Sequence, residues 1–396
     1  MDKTSPALHV GMVGYAFMGA AHSHAWRSAH RFFDLPLRPR MSVICGRDAD
    51  KVAQAADRFG WESTETDWRA LVERDDIDLV DICTPGDTHA EIAIAALEAG
   101  KHVLCEKPLA NTVAQAEAMA QAAERAAARG VHAMVGFTYR RVPAIALARQ
   151  LVADGRLGEI RHVRAQYLQD WLTDPAAPMS WRLEKQHAGS GALGDIGAHV
   201  IDLTQFITGD RVGAVTGLLE TFVEQRPQPS GDPGRLLGAD AVTTTGQHMG
   251  TVTVDDTAAF LARFDAGAVG VFEATRFATG RKNSIRIEVN GSNGSLGFDF
   301  EDMNVLSFYD ATEPSATAGF RRILVTEPDH PYVGGWWPPG HLLGYEHGFT
   351  HQVVDLVTAI AAGEQPRPSF ADGLQVQTVL AAVERSADSG AWEKIA

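Results

Sequence analysis

Cysteine is scarce in this sequence, with three in 396 residues: Cys45, Cys83 and Cys105. An odd count without a C-x-x-C spacing argues against a disulfide framework and a cysteine zinc site. Each thiol lies in or at the end of an apolar, strand-like run, so all three read as buried and reduced. Basic residues are also short: 35 Lys and Arg stand against 50 Asp and Glu, for a formal net charge of −15. That balance argues against nucleic acid and against an anionic membrane as partners. No apolar run reaches the roughly 20 residues needed to cross a bilayer. The N-terminal stretch lacks a charged segment followed by an apolar one. The expectation is a soluble, cytoplasmic protein. "HSHAW" (22–26) invites a metal reading, but His22 and His24 are two apart and point to different sides of a helix. With no other His or Cys cluster in support, no metal is expected.

What is present is a globular composition, 45% hydrophobic and 21% charged, on a chain long enough for two domains. The first third alternates two kinds of run. "LHVGMVG" (8–14), "MSVICG" (41–46), "DLVDIC" (78–83), "HVLCE" (102–106) and "VHAMVGF" (131–137) read as strands. "FMGAAHSHAWRSAHRFF" (17–33), "DADKVAQAADRFG" (48–60), "HAEIAIAALEAG" (89–100) and the Ala-rich 111–130 read as helices, with Gly60 as a helix stop. Such alternation implies a parallel sheet with helices on both faces. "VGMVGYAFMG" (10–19) sits at the first strand-to-helix turn, where G-x-G-x-x-G marks a dinucleotide site. Gly14 supplies the tight turn and Gly19 the close helix–sheet packing, while Ala16 replaces the middle glycine. Its methyl pushes the phosphates slightly outward without closing the site, because a helix N-terminus still offers free N–H groups. Further on, 159–169, 256–276 and 284–300 read as strands, with Asn293-Gly294 as a hairpin signal. Residues 226–251 read as a long excursion, and 345–362 and 370–387 as terminal helices.

"AGKHVLCEKPLA" (99–110), overlapping "TPGDTHAEIAIAALEAGKH" (84–102), and "SGALGDIGAHVIDL" (190–203) far downstream resemble the Gfo/Idh/MocA family, named for glucose–fructose oxidoreductase and inositol dehydrogenase. The resemblance runs over nearly the whole chain. It implies an α/β Rossmann domain with a parallel sheet, over 1–140. It further implies a C-terminal α+β domain with an open, mostly antiparallel sheet, over 141–396, with the terminal helices packing back on the junction. NAD or NADP is then held by Gly14, Ala16, Phe17, Met18, Thr84, Pro85, His89, Glu106 and Lys107. The second domain takes a small-molecule sugar or cyclitol. A homotetramer or homodimer is expected, because in this family a neighbouring subunit covers one face of the open sheet. Gly86 stands where the family often has asparagine, and is expected to loosen contacts near the nicotinamide ribose.

Oxidising a secondary alcohol needs a hydride acceptor, a base for the hydroxyl proton and a group that stabilises the developing alkoxide. In the family a Lys, an Asp and a His form the catalytic set, and Lys107, Asp195 and His199 match it. Lys107 precedes Pro108 and is therefore biased to an extended conformation, at a strand end where ligands bind. Asp195 and His199 are four apart and project from one face if "ALGDIGAHVIDLTQFI" (192–207) is a helix. His199 is assigned as general base, Lys107 as the donor that stabilises the alkoxide, and Asp195 as the group that orients substrate and biases the histidine. Tyr139, Gln169, Trp171, Arg182 and Tyr345 are expected pocket contacts, of types that suit polyols. Gly46 ends the second strand where an acid would hold the adenosine ribose. It leaves room for a phosphate within reach of Arg47, so the expectation leans to NADP, with NAD open through Asp48. The activity expected is NAD(P)-dependent oxidation of a secondary hydroxyl of a sugar, anhydrosugar, glycoside or cyclitol. Two alternatives stay open: a glycosidase or lyase that recycles bound NAD, and a non-catalytic ligand-binding protein on the same scaffold.

Overall fold

The computed structural model describes residues 5–229 and 248–395. The chain divides into two compact units, one made of 5–138 with Tyr345–Gln377, the other of Tyr139–Pro229, 248–344 and 378–395.

The first unit begins β1 (Ala7–Val13), α1 (Phe17–Phe32), β2 (Arg38–Cys45) and α2 (Ala49–Phe59). Next come β3 (Ser63–Glu65), α3 (Trp68–Glu73), β4 (Leu79–Ile82) and α4 (His89–Glu98). It continues with β5 (His102–Cys105), α5 (Val113–Ala127) and β6 (Ala133–Val135). The strands form one parallel sheet in the order β3-β2-β1-β4-β5-β6. The order reverses between β1 and β4, which opens a crevice at the carboxyl ends of those strands. Helix ends are chemically marked. Asp48 caps α2 by accepting from the N–H groups of Asp50 and Lys51, and Gly60 stops it at φ 82°. Thr112 caps α5. The short β3 and α3 escape a sequence reading because three- and six-residue elements carry no measurable periodicity.

The second unit opens with α6 (Pro143–Ala153), β7 (Ile160–Leu168) and α7 (Lys185–Ala188). A π-helical turn, Leu193–Gly197, then leads into α8 (Ala198–Thr208). After it come β8 (Val212–Glu220), β9 (Gln225–Pro227), β10 (Met249–Thr251), β11 (Thr257–Phe264) and β12 (Val269–Thr275). β13 (Ser284–Gly291), β14 (Gly294–Asp299), β15 (Val305–Asp310) and β16 (Arg321–Leu324) follow. The chain ends with α9 (Tyr345–Ala362), α10 (Phe370–Ser389) and β17 (Glu393–Lys394). Nine strands form one sheet in the order β16-β15-β14-β13-β7-β12-β11-β8-β17. Only β7 and β12 pair parallel; the other neighbours run antiparallel. Along β11, Ala258, Phe260 and Ala262 face inward, while Leu261 and Arg263 are exposed. α6 and α8 pack on one face of the sheet. The other face carries exposed Leu218, Leu261 and Val271 beside an Arg164–Glu288 ion pair of 3.0 Å.

α9 belongs to the first unit's core: Phe349, Val353 and Leu356 pack in one cluster with Val10, Trp26 and Leu104. The hairpin signalled by Asn293-Gly294 is present: β13 and β14 pair antiparallel from Asn290 and Ser295 onward, with neither Asn293 nor Gly294 at positive φ. A Cβ on Gly294 would lie 2.7 Å from the Tyr309 carbonyl oxygen, so close backbone approach explains this glycine. The segment around Asp195 is a π turn rather than a plain helix, a device that recurs at functional sites. Of the excursion at 226–251, the antiparallel pair β9–β10 forms the flanks; 230–247 lie outside the described residues. Among the described residues no helix is long and apolar enough to cross a membrane.

Candidate active site

The turn between β1 and α1 is shaped for a nucleotide. Gly14 stands at φ 105°, and a Cβ there would lie 2.7 Å from the Cys83 carbonyl oxygen. A Cβ on Gly19 would run into the Gly14 carbonyl oxygen, so the helix starts hard against the turn. Among the described residues no side chain caps α1 at Ala16, and its first turn holds no acid. Its leading N–H groups and partial positive charge therefore remain for an anion, which fits a dinucleotide pyrophosphate. Phe17 is exposed and stacks on Tyr345, ring centres 6.3 Å apart, with Met18 half-buried behind it. Tyr345 thus sits beside the nucleotide turn.

Gly46 corrects an expectation. Its missing side chain leaves no room, because a Cβ there would collide with the Tyr15 ring. Asp48 is committed to capping α2 and does not turn toward a ribose. Arg47 is exposed and makes no hydrogen bond or ion pair with other described residues.

At the next strand ends, His89 clamps two loops. Its ring nitrogens lie 2.9 Å from the Thr84 carbonyl oxygen and 3.0 Å from that of Pro108. Burial pushes its pKa down, so the neutral ring donates from one nitrogen at a time. With both nitrogens facing backbone, His89 holds the Thr84–Pro85 and Lys107–Pro108 segments instead of reaching a ligand. Gly86 also departs from expectation. A side chain there would meet the Asn111 carboxamide oxygen at 2.5 Å, so Asn111 fills the space where looseness was expected. Asn111 is a neighbour of the Gly86 turn that sequence reasoning missed, and no local signal marks it.

Behind Lys107 lies a buried polar cluster. Glu106 accepts from the Lys107 N–H at 3.2 Å and from His22 Nε2 at 3.0 Å. His22 Nδ1 lies 2.9 Å from Asp81, and Trp26 donates to the same carboxylate at 2.7 Å. Burial alone would lower the His22 pKa, but the Asp81 charge and further contacts outweigh it and hold it well above 6.5. His22, Asp81 and Cys83 have the spacing of a metal-ligand set. Their polar atoms are engaged with one another and with Glu106 and Trp26, and burial pushes the Cys83 thiol up to about 12.

The second unit builds the other half of the expected set. His199 is buried between aromatic rings, with Tyr139 at 4.7 Å and Tyr167 at 5.8 Å between ring centres. Four hydrogen bonds run on from there. The Tyr139 and Tyr167 hydroxyls are 2.9 Å apart, and Tyr167 donates to Asn283 Oδ1 at 2.7 Å, so Tyr139 is the donor to Tyr167. Gln169 donates to the same Asn283 oxygen at 2.8 Å and accepts from the Trp171 indole at 2.9 Å. Trp171 is 44% exposed, which leaves an aromatic face for a ligand. Asp195 is partly open, and the fully buried Arg276 lies 4.0 Å from it. Arg182 does not join this chain; it lies over the Trp181 ring, 4.4 Å from its centre. Tyr167, Asn283 and Arg276 were missed from sequence because each is an ordinary strand-end residue with no motif around it.

Comparison with known proteins shows the family and the fold. Residues 8–137 match the oxidoreductase family, NAD-binding Rossmann fold, and 145–297 match the GFO/IDH/MocA C-terminal domain. A levoglucosan dehydrogenase of Pseudarthrobacter phenanthrenivorans is 44% identical over 97% of both chains. The crystal structure of an oxidoreductase domain protein from Kribbella flavida is 72% identical, with a TM-score of 0.93 over 99% of this chain and 100% of that one. A levoglucosan dehydrogenase solved in complex with NADH and levoglucosan is 42% identical, with a TM-score of 0.91 over 98% and 99%.

Proposed function

The chain belongs to the Gfo/Idh/MocA family of oxidoreductases, and from that premise we propose that it oxidises a secondary hydroxyl of a sugar or anhydrosugar to a ketone. The observation that carries this reading is the hydrogen-bonded chain from Tyr139 to Trp171 beside His199. Fixed donors, acceptors and an open indole face are what a polyol needs, and the similar dehydrogenase binds levoglucosan. A bound nicotinamide dinucleotide supplies the hydride acceptor. His199 takes the hydroxyl proton, the Lys107 ammonium donates to the oxygen as negative charge builds, and Asp195 orients the substrate and supports the protonated histidine. The first unit holds the dinucleotide; the second holds the sugar and mediates assembly.

For the cofactor we favour NAD. The similar dehydrogenase was solved with NADH, and Tyr15 occupies the space that favoured a phosphate at Gly46. Arg47 is the feature that would admit NADP. The test is a panel of anhydrosugars, glycosides and inositols with each cofactor, following absorbance of the reduced form. Net reduction with an anhydrosugar and NAD is expected, and Arg47→Ala should weaken NADP use alone. Turnover without net reduction would favour the recycling lyase instead. No reduction with any polyol, or a tenfold preference for NADP, would overturn the respective reading.

The exposed sheet face fits a second copy of the chain, since Leu218, Leu261 and Val271 remain uncovered on a sheet whose other face is packed. Light scattering should give a multiple of 42.6 kDa. A monomer mass at working concentration would contradict it.

A further inference from the structure

Arg276 follows β12 directly and is wholly buried. Its Nη2 donates to the Asp255 carbonyl oxygen at 2.9 Å. Its Nε and Nη1 make no hydrogen bond among the described residues, and Nη1 lies 4.0 Å from Asp195 Oδ2. The guanidinium also lies 5.6 Å from the centre of the Trp171 ring. A buried guanidinium with open donors is costly and stays charged, so its placement must be offset by what it faces. It faces Asp195 on the π turn and Asp255 and Asp256 before β11, with Arg182 and Arg226 as the like charges nearby. Asp255 has a second task. Its carboxylate accepts from the N–H groups of Gly191 and Leu193 at 2.7 and 2.8 Å, at the start of the turn that carries Asp195. Arg276 therefore touches both the acid and the backbone that holds the acid's turn in place.

We propose that Arg276 is a positioning residue whose buried charge keeps Asp195 ionised and so sets the pH at which His199 accepts the substrate proton. This rests on the acid–base reading of Asp195 and His199. The sign follows from the charges. Removing a cation makes the Asp195 carboxylate harder to keep and a protonated His199 easier to form, so both changes raise the apparent pKa of the pair.

The experiment is the pH profile of kcat/KM for wild type, Arg276→Gln, Arg276→Met and Arg276→Lys, each checked for folding by thermal melting. Met serves where Gln fails to fold, because an apolar side chain of similar length leaves no buried amide. The acid limb should move up by about one pH unit in Gln or Met, as expected for loss of an opposite charge at this range. It should stay near the wild-type position in Lys, which restores the charge. An acid limb that stays in place in a folded Gln or Met variant overturns the proposal, as does one that moves equally in Lys. Asp195→Asn separates the two levels. If it turns over like wild type, the acid–base reading itself fails. If it is impaired while the Arg276 variants keep the wild-type limb, only the role of Arg276 fails.

Discussion

Lys107→Ala and His199→Ala should each lower kcat by about 10²–10⁴ with the fold intact, the range for loss of a charge-stabilising donor or a general base. Lys107 sits just past β5, on a segment braced by His89 at Pro108 and by Glu106 at its own N–H. None of those braces uses the lysine side chain, so its removal should leave the loop in place. His199 is different: its ring packs against Tyr139 and Tyr167, and alanine there leaves a void. The check is therefore double. Steady-state rates with the best substrate give the loss, and thermal melting shows whether the variant is folded. Loss confined to kcat means the group acts in the transition state, whereas a rise in KM alone would make it a binding residue. Wild-type turnover in a folded Lys107→Ala enzyme would refute the assignment.

Asp81→Asn should destabilise the protein by about 3–5 kcal/mol, the cost of breaking a buried charge pair by removing one partner. Asp81 is wholly buried and accepts from His22 and Trp26. Its effect on pH dependence has a definite sign. The folded-state pKa of His22 lies well above 6.5, so its stabilisation is complete below that value and is lost as pH rises through the folded pKa. Wild type should therefore lose stability on the alkaline side. In Asp81→Asn the main raising influence is gone and burial pushes the ring toward neutrality. The variant should then be most penalised on the acid side, where a neutral buried histidine must take a proton. Denaturant titrations of both proteins across pH would show two curves whose difference narrows as pH rises. A difference that stays constant would mean that His22 is not charged in the fold.

Much of the nucleotide-binding half was legible in the sequence because its signals are local. Strand and helix runs alternate, Gly14 is required by its own φ, and the Lys107–Pro108 pair ends a strand. In the second half β7 and β11 to β14 were legible as strands, since alternation such as that of β11 depends only on neighbours, while β8, β15 and β16 were not read. The segment carrying Asp195 and His199 was legible in position but not in shape, because a π turn differs from an α turn by one hydrogen-bond register that side-chain spacing does not report.

What sequence by itself determined was the longer strands and helices, the candidate cofactor turn and the three candidate catalytic residues, because each rests on periodicity, backbone preference or a contiguous motif. Tertiary structure alone decided what surrounds them. Tyr15 closes the space beside Gly46, Asn111 fills the gap at Gly86, Asp81 charges His22, and Arg276 stands behind Asp195. Read along the chain, Gly46 leaves open space and His22 is only a rejected metal ligand. Space and charge at a site belong to whichever side chains the fold brings there, and these pairs, apart from the Tyr15 contact with Gly46 across adjacent strand ends, come from elements far apart in the chain. Excluded volume and burial act only between atoms that are already close, so no pattern of spacing could have announced them.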